Sequence, residues 1–375
     1  MTVNKSSRTL TLAVLALASA AALANPNLDA TQWIQRISQA AQKLNYSGTF
    51  VYLQQGGLPQ TSRITHMNDG GVERERLEML EGLPVVVVRT NDEVRSYFPD
   101  SKTVLIEKRR AKATFPALAS MPAAAQGATP GSTQGAASAA LPGAGQMAVH
   151  SVVHSAAQGA QLPVDFSGHY NVRKWDTQRI AGLDCQVLLL EPKDGLRYTH
   201  KLWADMNSGL LLKAQSFNEK GEVVEQIGFT QVEIGGLIEK YLAKFSKRDG
   251  GPGWRTATAQ VWDASLVESG WKIDPALPGF RKISEMKRNR DDGVEVGQVV
   301  FSDGLTSVSV FVEPARAGVK TREGVSSHGA VSVYRRTLGD HLVTVLGEAP
   351  AACVTRIARS IEFRPVAAAP ARSVP

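Results

Sequence analysis

The sequence predicts an α+β protein: one large antiparallel sheet with helices, followed by a smaller α+β unit. Three observations carry that prediction. An amphipathic helix opens the mature chain, and a long series of short β-prone runs follows, punctuated by turn residues at close, regular spacing. A charged, then Gly/Pro-rich break, "SKRDGGPGW" (246–254), precedes a restart of the pattern. About eleven strands before the break are more than a twisted antiparallel sheet carries flat. Such a sheet should curl and leave a concave face to be filled by a helix or a ligand.

Residues 1–24 read as a secretory signal peptide. Lys5 and Arg8 precede the apolar stretch "LTLAVLAL" (10–17), and Ala22 and Ala24 occupy the small positions of an A-x-A site, placing cleavage before Asn25. The apolar stretch is too short to span a bilayer, and no later stretch reaches transmembrane length. With no Asp or Glu in 1–24, loss of Lys5 and Arg8 lowers the formal charge from +7 to +5. That mild basic bias suits anionic headgroups or an acidic partner segment, and export argues against nucleic acid. The expectation is a soluble exported protein with domains at 25–245 and 255–365, a linker at 246–254 and a flexible tail at 366–375.

The opening helix starts at Asp29, with Gln32 three residues on in a capping-box pattern, and repeats Trp33, Ile37, Ala41 and Leu44 on one face. Strands follow at "SGTFVYLQ", "TSRITHM", "GVERERLEML", "PVVVVR", "EVRSYFP" and "KTVLIEK", separated by "NDGG", "EGLP", "TND" and "PDS". Between Lys112 and Asp165 there is no Asp, Glu, Lys or Arg, and Ala, Gly, Pro, Ser and Gln dominate. Residues 116–162 therefore read as a disordered insertion with too little to bury. Strands resume at "YNVRKW", "DCQVLLLEP", "LRYTHKLWAD", "LLLKAQSFN" and "EVVEQIGFTQVEI". Beyond the linker, "WDASLVESG" predicts a short helix, and "GVEVGQVVFS", "LTSVSVFVEP", "GAVSVYRRTL" and "HLVTVLGE" predict strands. A last helix begins at Pro350 and carries Cys353, Ile357 and Ile361 on one face.

No enzyme constellation stands out. Asp303-Gly304 between β-prone runs signals a tight hairpin. Ser302 has no G-x-S-x-G elbow, and nothing in the spacing sets His328 or His341 against it. His150 and His154 share an i, i+4 spacing without the glutamate of a zinc motif, and His66, His169 and His200 fall in or beside strands, so no metal or cofactor is expected. The charged run 281–293 reads first as a solvated loop or strand edge, second as a rim for an acidic partner. "EKRRAK" (107–112) could hold lipid phosphates at a cleft mouth. Cys185 and Cys353 are either a disulfide permitted by export or two separately buried thiols; both stay open.

Several segments resemble the periplasmic sigma-E factor regulatory proteins of the RseB/MucB family. They are "LNYSGTFVY" (44–52), "GVERERL" (71–77), "RIAG" (179–182), "RYTHKLW" (197–203), "SGLLLK" (208–213), "FSDGLTSVSVFVEP" (301–314) and "VTVLGEAP" (343–350), in order along nearly the whole mature chain. The Ala-rich insertion departs from the family by its length. The resemblance implies an unclosed β-barrel similar to LolA and LolB plus a smaller C-terminal domain. It implies a regulator that binds the periplasmic part of a membrane anti-sigma factor, RseA or MucA, and shields it from the first proteolytic cut. Lipopolysaccharide or the acyl chains of mislocalised lipoprotein would release that grip. Phe50, Tyr52, Leu77, Val86, Val88 and Leu105 are the candidate lipid lining, and Arg281, Lys282, Lys287 and Arg288 the candidate partner contacts. A periplasmic lipid or lipoprotein carrier is the alternative, and homo-oligomerisation stays open.

Overall fold

The computed structural model describes residues 28–108, 166–236, 245, 251–259, 261–289, 293–316, 318 and 322–365. The expected signal peptide, the insertion 116–162 with His150 and His154, residues 246–250 of the linker and the tail 366–375 lie outside the described residues. So does "EKRRAK" beyond Lys108.

Helix α1 (Ala30–Lys43) starts as its residues dictate: the Gln32 amide donates to Asp29 Oδ1 at 2.8 Å, and the Asp29 amide donates to Gln32 Oε1 at 2.9 Å. Such a reciprocal cap satisfies two orphan donors and contributes about 1 kcal/mol. Trp33, Ile34, Ile37, Ala40 and Ala41 are buried.

The first half of the sheet is a meander: β1 (Tyr46–Gln54), β2 (Gln60–Asp69), β3 (Val72–Met79), β4 (Val86–Thr90), β5 (Glu93–Phe98) and β6 (Thr103–Lys108). The second half is β7 (Tyr170–Ile180), β8 (Leu183–Pro192), β9 (Thr199–Asp205), β10 (Leu211–Phe217) and β11 (Val223–Ile234). These halves join where β11 pairs antiparallel with β1, from Tyr46↔Ile234 to Gln54↔Glu225. Gly48 makes that seam possible, since a Cβ there would sit 2.6 Å from the Phe229 ring, which packs edge-on against Tyr46 and Phe50.

A further strand, β12 (Arg255–Thr258), pairs parallel to β6 and completes a 12-stranded sheet whose free edges are β12 and β7. The first residues of the expected second domain, 255–258, are therefore part of the first sheet, beyond the boundary read from composition. One core gathers α1 with Phe50, Ile64, Leu77, Val87 and Phe98 from one half and Leu188, Leu190 and Leu202 from the other. The architecture is an unclosed barrel filled by a helix.

The second domain holds β13 (Val261–Asp263), the two-residue β14 (Trp271–Lys272), β15 (Arg281–Asn289), β16 (Glu295–Ser302), β17 (Ser307–Pro314), β18 (Gly324–His328), β19 (Val331–Leu338), β20 (His341–Gly347), α2 (Ala351–Ser360) and β21 (Glu362–Phe363). Its main sheet runs β13-β15-β16-β17-β20-β19-β18, while β14 pairs with β21. Helix α2 buries Cys353, Val354, Ile357 and Ala358 against Val299, Phe301, Val308, Val310, Val343 and Val345.

Two expectations change here. The short helix expected in 262–270 is one 3₁₀ turn, Val267–Ser269, because Trp262 and Asp263 pair with β15 and Gly270 ends the turn at φ +89°. Residues 281–289 of the charged run enter the sheet as β15, paired with β16 along its length and with β13 at Met286–Arg288.

Cys185 and Cys353 are both free and buried, one in each core, so the open question resolves to two separate thiols. Burial pushes both thiols up to about 12, helped by Asp205 beside Cys185 and by Asp303 near Cys353.

Candidate binding site

Strand register sorts the six candidate lining residues onto two faces. The rows Leu77↔Val87↔Ser96↔Leu105 and Gly48↔Ile64↔Leu77 put Leu77 and Leu105 on the face of Phe50 and Tyr52. Val86 and Val88 pair instead with Glu78 and Arg76, on the opposite face. All six therefore cannot line one surface. Four consecutive valines carry no alternation, and it is Val85 and Val87 that enter the core with α1.

One end of this face is polar. Arg89 donates to Glu75 Oε2 at 2.8 Å and reaches Glu73 Oε1 at 3.5 Å, and His66 bridges the Leu44 carbonyl (2.7 Å) and Glu73 (3.2 Å). Burial works against charge on Glu73, but His66 and Arg89 hold its carboxyl below the usual range. Tyr46 stacks on His66 at 5.1 Å, and burial together with Glu75 pushes its phenol far up.

The other end meets the second domain, and there Arg197 of "RYTHKLW" meets Asp303 of "FSDGL". Each is 2% exposed. Arg197 Nε donates to Asp303 Oδ2 at 2.6 Å, Nη1 donates to Asp194 and Nη2 to the Pro278 carbonyl. Its guanidinium lies 4.9 Å from the centre of the Phe280 ring and 5.9 Å from that of Tyr170. Asp303 does two things at once. Its Oδ1 accepts the amides of Leu305 (3.0 Å) and Thr306 (2.8 Å), closing the predicted hairpin, while Oδ2 takes Arg197 and the Tyr170 hydroxyl (3.3 Å). A tight turn was legible in Asp303-Gly304, but its grip on the first domain was not. The only signal available was that both segments belong to the stretches resembling the family.

Around this pair the junction is polar and closely fitted. Gln54 Nε2 donates to the His328 carbonyl at 2.5 Å, and a Cβ on Gly329, at φ +55°, would sit 2.0 Å from Gln54. Tyr198 and Val224 of the first domain form a small apolar cluster with Ala330 of the second.

The four candidate partner contacts fall on one strand without forming one surface. Arg281 and Lys282 are exposed at the start of β15, with Lys282 bonded to Glu285 at 2.5 Å. Lys287 pairs with Glu295 at 2.8 Å, and Arg288 lies 5.5 Å from the Phe311 ring centre. As neighbours on a strand, Lys287 and Arg288 face opposite ways.

Ser302 Oγ accepts the Gly304 amide at 2.9 Å and so braces the turn. Ser302 pairs with Ser307 and His341 with Pro314, at opposite ends of β17, roughly 20 Å apart at the usual strand rise. His341 packs between Trp271 and Phe363. Among the described residues no group of three His, Cys, Asp or Glu could hold a metal, and no helix is long and apolar enough to cross a membrane.

A helix-filled open barrel locked to a second sheet domain defines a two-domain binding protein. A family model described as the MucB/RseB N-terminal domain matches residues 29–248, and one described as the MucB/RseB C-terminal domain matches residues 265–362. The chain belongs to the MucB/RseB family. Sigma factor AlgU regulatory protein MucB of Pseudomonas aeruginosa is 29% identical over 368 residues, covering 96% of this chain and 99% of the relative. Sigma-E factor regulatory protein RseB of Salmonella typhimurium is 27% identical over 190 residues, covering 50% of this chain and 58% of the relative. The solved Pseudomonas aeruginosa MucA/MucB complex matches with a TM-score of 0.62 at 25% identity, covering 90% of this chain and 99% of the matched one. MucB in complex with MucA(peri) matches with a TM-score of 0.59 at 27% identity, covering 91% and 100%.

Proposed function

We propose that this chain is an exported, non-enzymatic regulator that grips the periplasmic segment of a membrane anti-sigma factor, shields it from proteolysis and releases it when lipid is bound. The observation that carries the reading is the correspondence along nearly the whole chain with a relative solved in complex with MucA. A carrier would leave the second domain and the buried Arg197–Asp303 lock without a role.

The lipid signal would enter the helix-filled face that bears Phe50, Tyr52, Leu77 and Leu105. An acyl chain there gains about 0.8 kcal/mol per buried CH₂. Only its preference for the weakly gripping arrangement can release the partner, through a coupling of typically about 1–3 kcal/mol. The exposed start of β15, Arg281 and Lys282, offers positive charge to an acidic partner segment.

The test is calorimetric titration of residues 25–375 with the periplasmic segment of the anti-sigma factor from the same organism, with and without lipopolysaccharide. Binding that weakens as lipid is added is the expected result. Binding indifferent to lipid removes the signal but keeps the regulator. No binding, with lipid still taken up, selects the carrier.

A further inference from the structure

In the same junction as the Arg197–Asp303 lock lies a second charged contact that the ion pair does not use. Glu225 on β11 belongs to the first domain and is buried; Glu348, one residue past β20, belongs to the second and is half-buried with its Oε1 shielded from solvent, and the charge of Glu225 acts on it. Ser216 Oγ donates to Glu225 Oε1 at 2.7 Å and the Tyr52 hydroxyl also faces Glu225, whereas Glu348 Oε1 has no hydrogen-bond partner among the described residues.

Among the described residues the surroundings supply no cation to this pair. From β1 come Tyr52 and Gln54, the latter bonded to the His328 carbonyl across the junction. From β9 come Tyr198, which hydrogen-bonds Ser332, and His200, whose Nδ1 lies 3.1 Å from Ser216 Oγ. Because Ser216 gives its proton to Glu225, it accepts from His200 Nδ1, and burial, which lowers His200 to about 4, keeps that ring neutral with Nε2 unprotonated. Arg197 is already committed to Asp303, and Cys353 of α2 adds no positive charge.

We infer that the junction is a proton-operated latch, in which Glu225 and Glu348 face each other across the domains, hold closed when protonated and push apart when ionised. Two carboxyls without a cation in a buried junction cannot both carry charge without a large cost. The latch is independent of what the protein grips.

The direction follows from linkage. Burial raises Glu225 from the ordinary 4.5 to about 7, and burial together with Glu225 raises Glu348 well above the ordinary value. The closed junction therefore holds its protons more tightly than an open one, so closure is favoured in acid. It weakens as pH rises from 4.5 through about 7 and levels off above that. For Glu225 alone, raising pH from 5.5 to 8.5 multiplies the open-to-closed ratio by about thirty.

His200 works the other way if opening exposes it, since burial lowers it to about 4. That contribution is common to the parent and to carboxyl variants and cancels between them.

The experiment uses the full mature chain with spin labels on two exposed positions, Leu58→Cys in the first domain and Val267→Cys in the second, read by pulsed electron resonance from pH 5.5 to 8.5. The native thiols are buried and stay unlabelled. The expected result is one narrow distance in acid and a growing long-distance population towards pH 8.5. Glu225→Gln/Glu348→Gln should reduce that pH response by about thirtyfold or more. Each single variant should reduce it in part, which keeps the test valid if the double variant does not fold. Identical distances at both ends of the range in the parent, or an undiminished response in the variants, overturns the latch.

Discussion

Replacing Asp303 by Asn should cost roughly 3 kcal/mol of stability, through the first domain as much as the second. Asparagine keeps the volume and the Oδ1 acceptor that closes the turn onto Leu305 and Thr306, so what is lost is the charge facing Arg197 together with the Oδ2 acceptor of Arg197 and Tyr170, replaced by an NH₂ donor. The Arg197 side chain is 0% exposed and its partner's 1%, so no water can replace the carboxylate. Asp194, at 32%, is more open to solvent and compensates only in part. Breaking a buried pair by removing one partner typically costs about 3–5 kcal/mol, and the residual bonds to Asp194 and Pro278 place this case at the lower end. Urea unfolding followed by tryptophan fluorescence reads the loss as a midpoint shift of about 1 M at an unfolding slope near 3 kcal/mol/M. The decisive comparison is a cycle with Arg197→Met. If charge pairing carries the effect, Asp303→Asn costs far less once Arg197 is gone, leaving a coupling of about 2–3 kcal/mol. An Asp303→Asn cost below about 1 kcal/mol, or one unchanged in the Arg197→Met background, would refute the reasoning.

Four other outcomes are expected. Gly48→Ala should destabilise by about 1–3 kcal/mol in a thermal melt, because its methyl meets the Phe229 ring and the Gln231 carbonyl at the β1–β11 seam. Asp29→Ala should cost about 1 kcal/mol by removing the cap of α1, with Asp29→Asn largely restoring it in the same melt. Cys185 and Cys353 should stay unreactive to a thiol reagent at pH 8 and react fully in denaturant, while a reductant leaves the melting midpoint unchanged. His200, lowered to about 4 by burial, contributes stability that is present above its ordinary 6.5 and is lost as pH falls towards 4. Unfolding midpoints of His200→Gln and the parent should therefore converge or cross between those values.

The sheet was readable because an antiparallel meander writes itself locally: alternating burial along β10 and the first half of β17, and turn residues between strands. The cap of α1 and the buried face of α2 were equally local. What stayed hidden depends on pairings between distant segments. The parity of Val86 and Val88 is set by Leu77 opposite Val87, which no property of "VVVV" expresses. The charges of β15 gave no hint that strands would flank it on both sides, and Thr256 gave none that it would lie beside Val104. The Arg197–Asp303 lock joins two segments that each looked complete alone.

The position of β1 at the middle of the sheet has a consequence for how the chain must fold. Its open side waits for β11, which pairs Ile234 with Tyr46, and the far edge at β6 waits longer still, for Arg255–Thr258. Contacts of such long sequence separation form late and slowly, because the loop must be closed before the pairing stabilises it. An incoming chain therefore carries two half-sheets with unpaired central edges until nearly all of the first domain and the start of the second have arrived. A fragment ending at residue 248, where the first family match stops, would lack the strand that covers β6. Handled alone, such a fragment is expected to associate edge to edge.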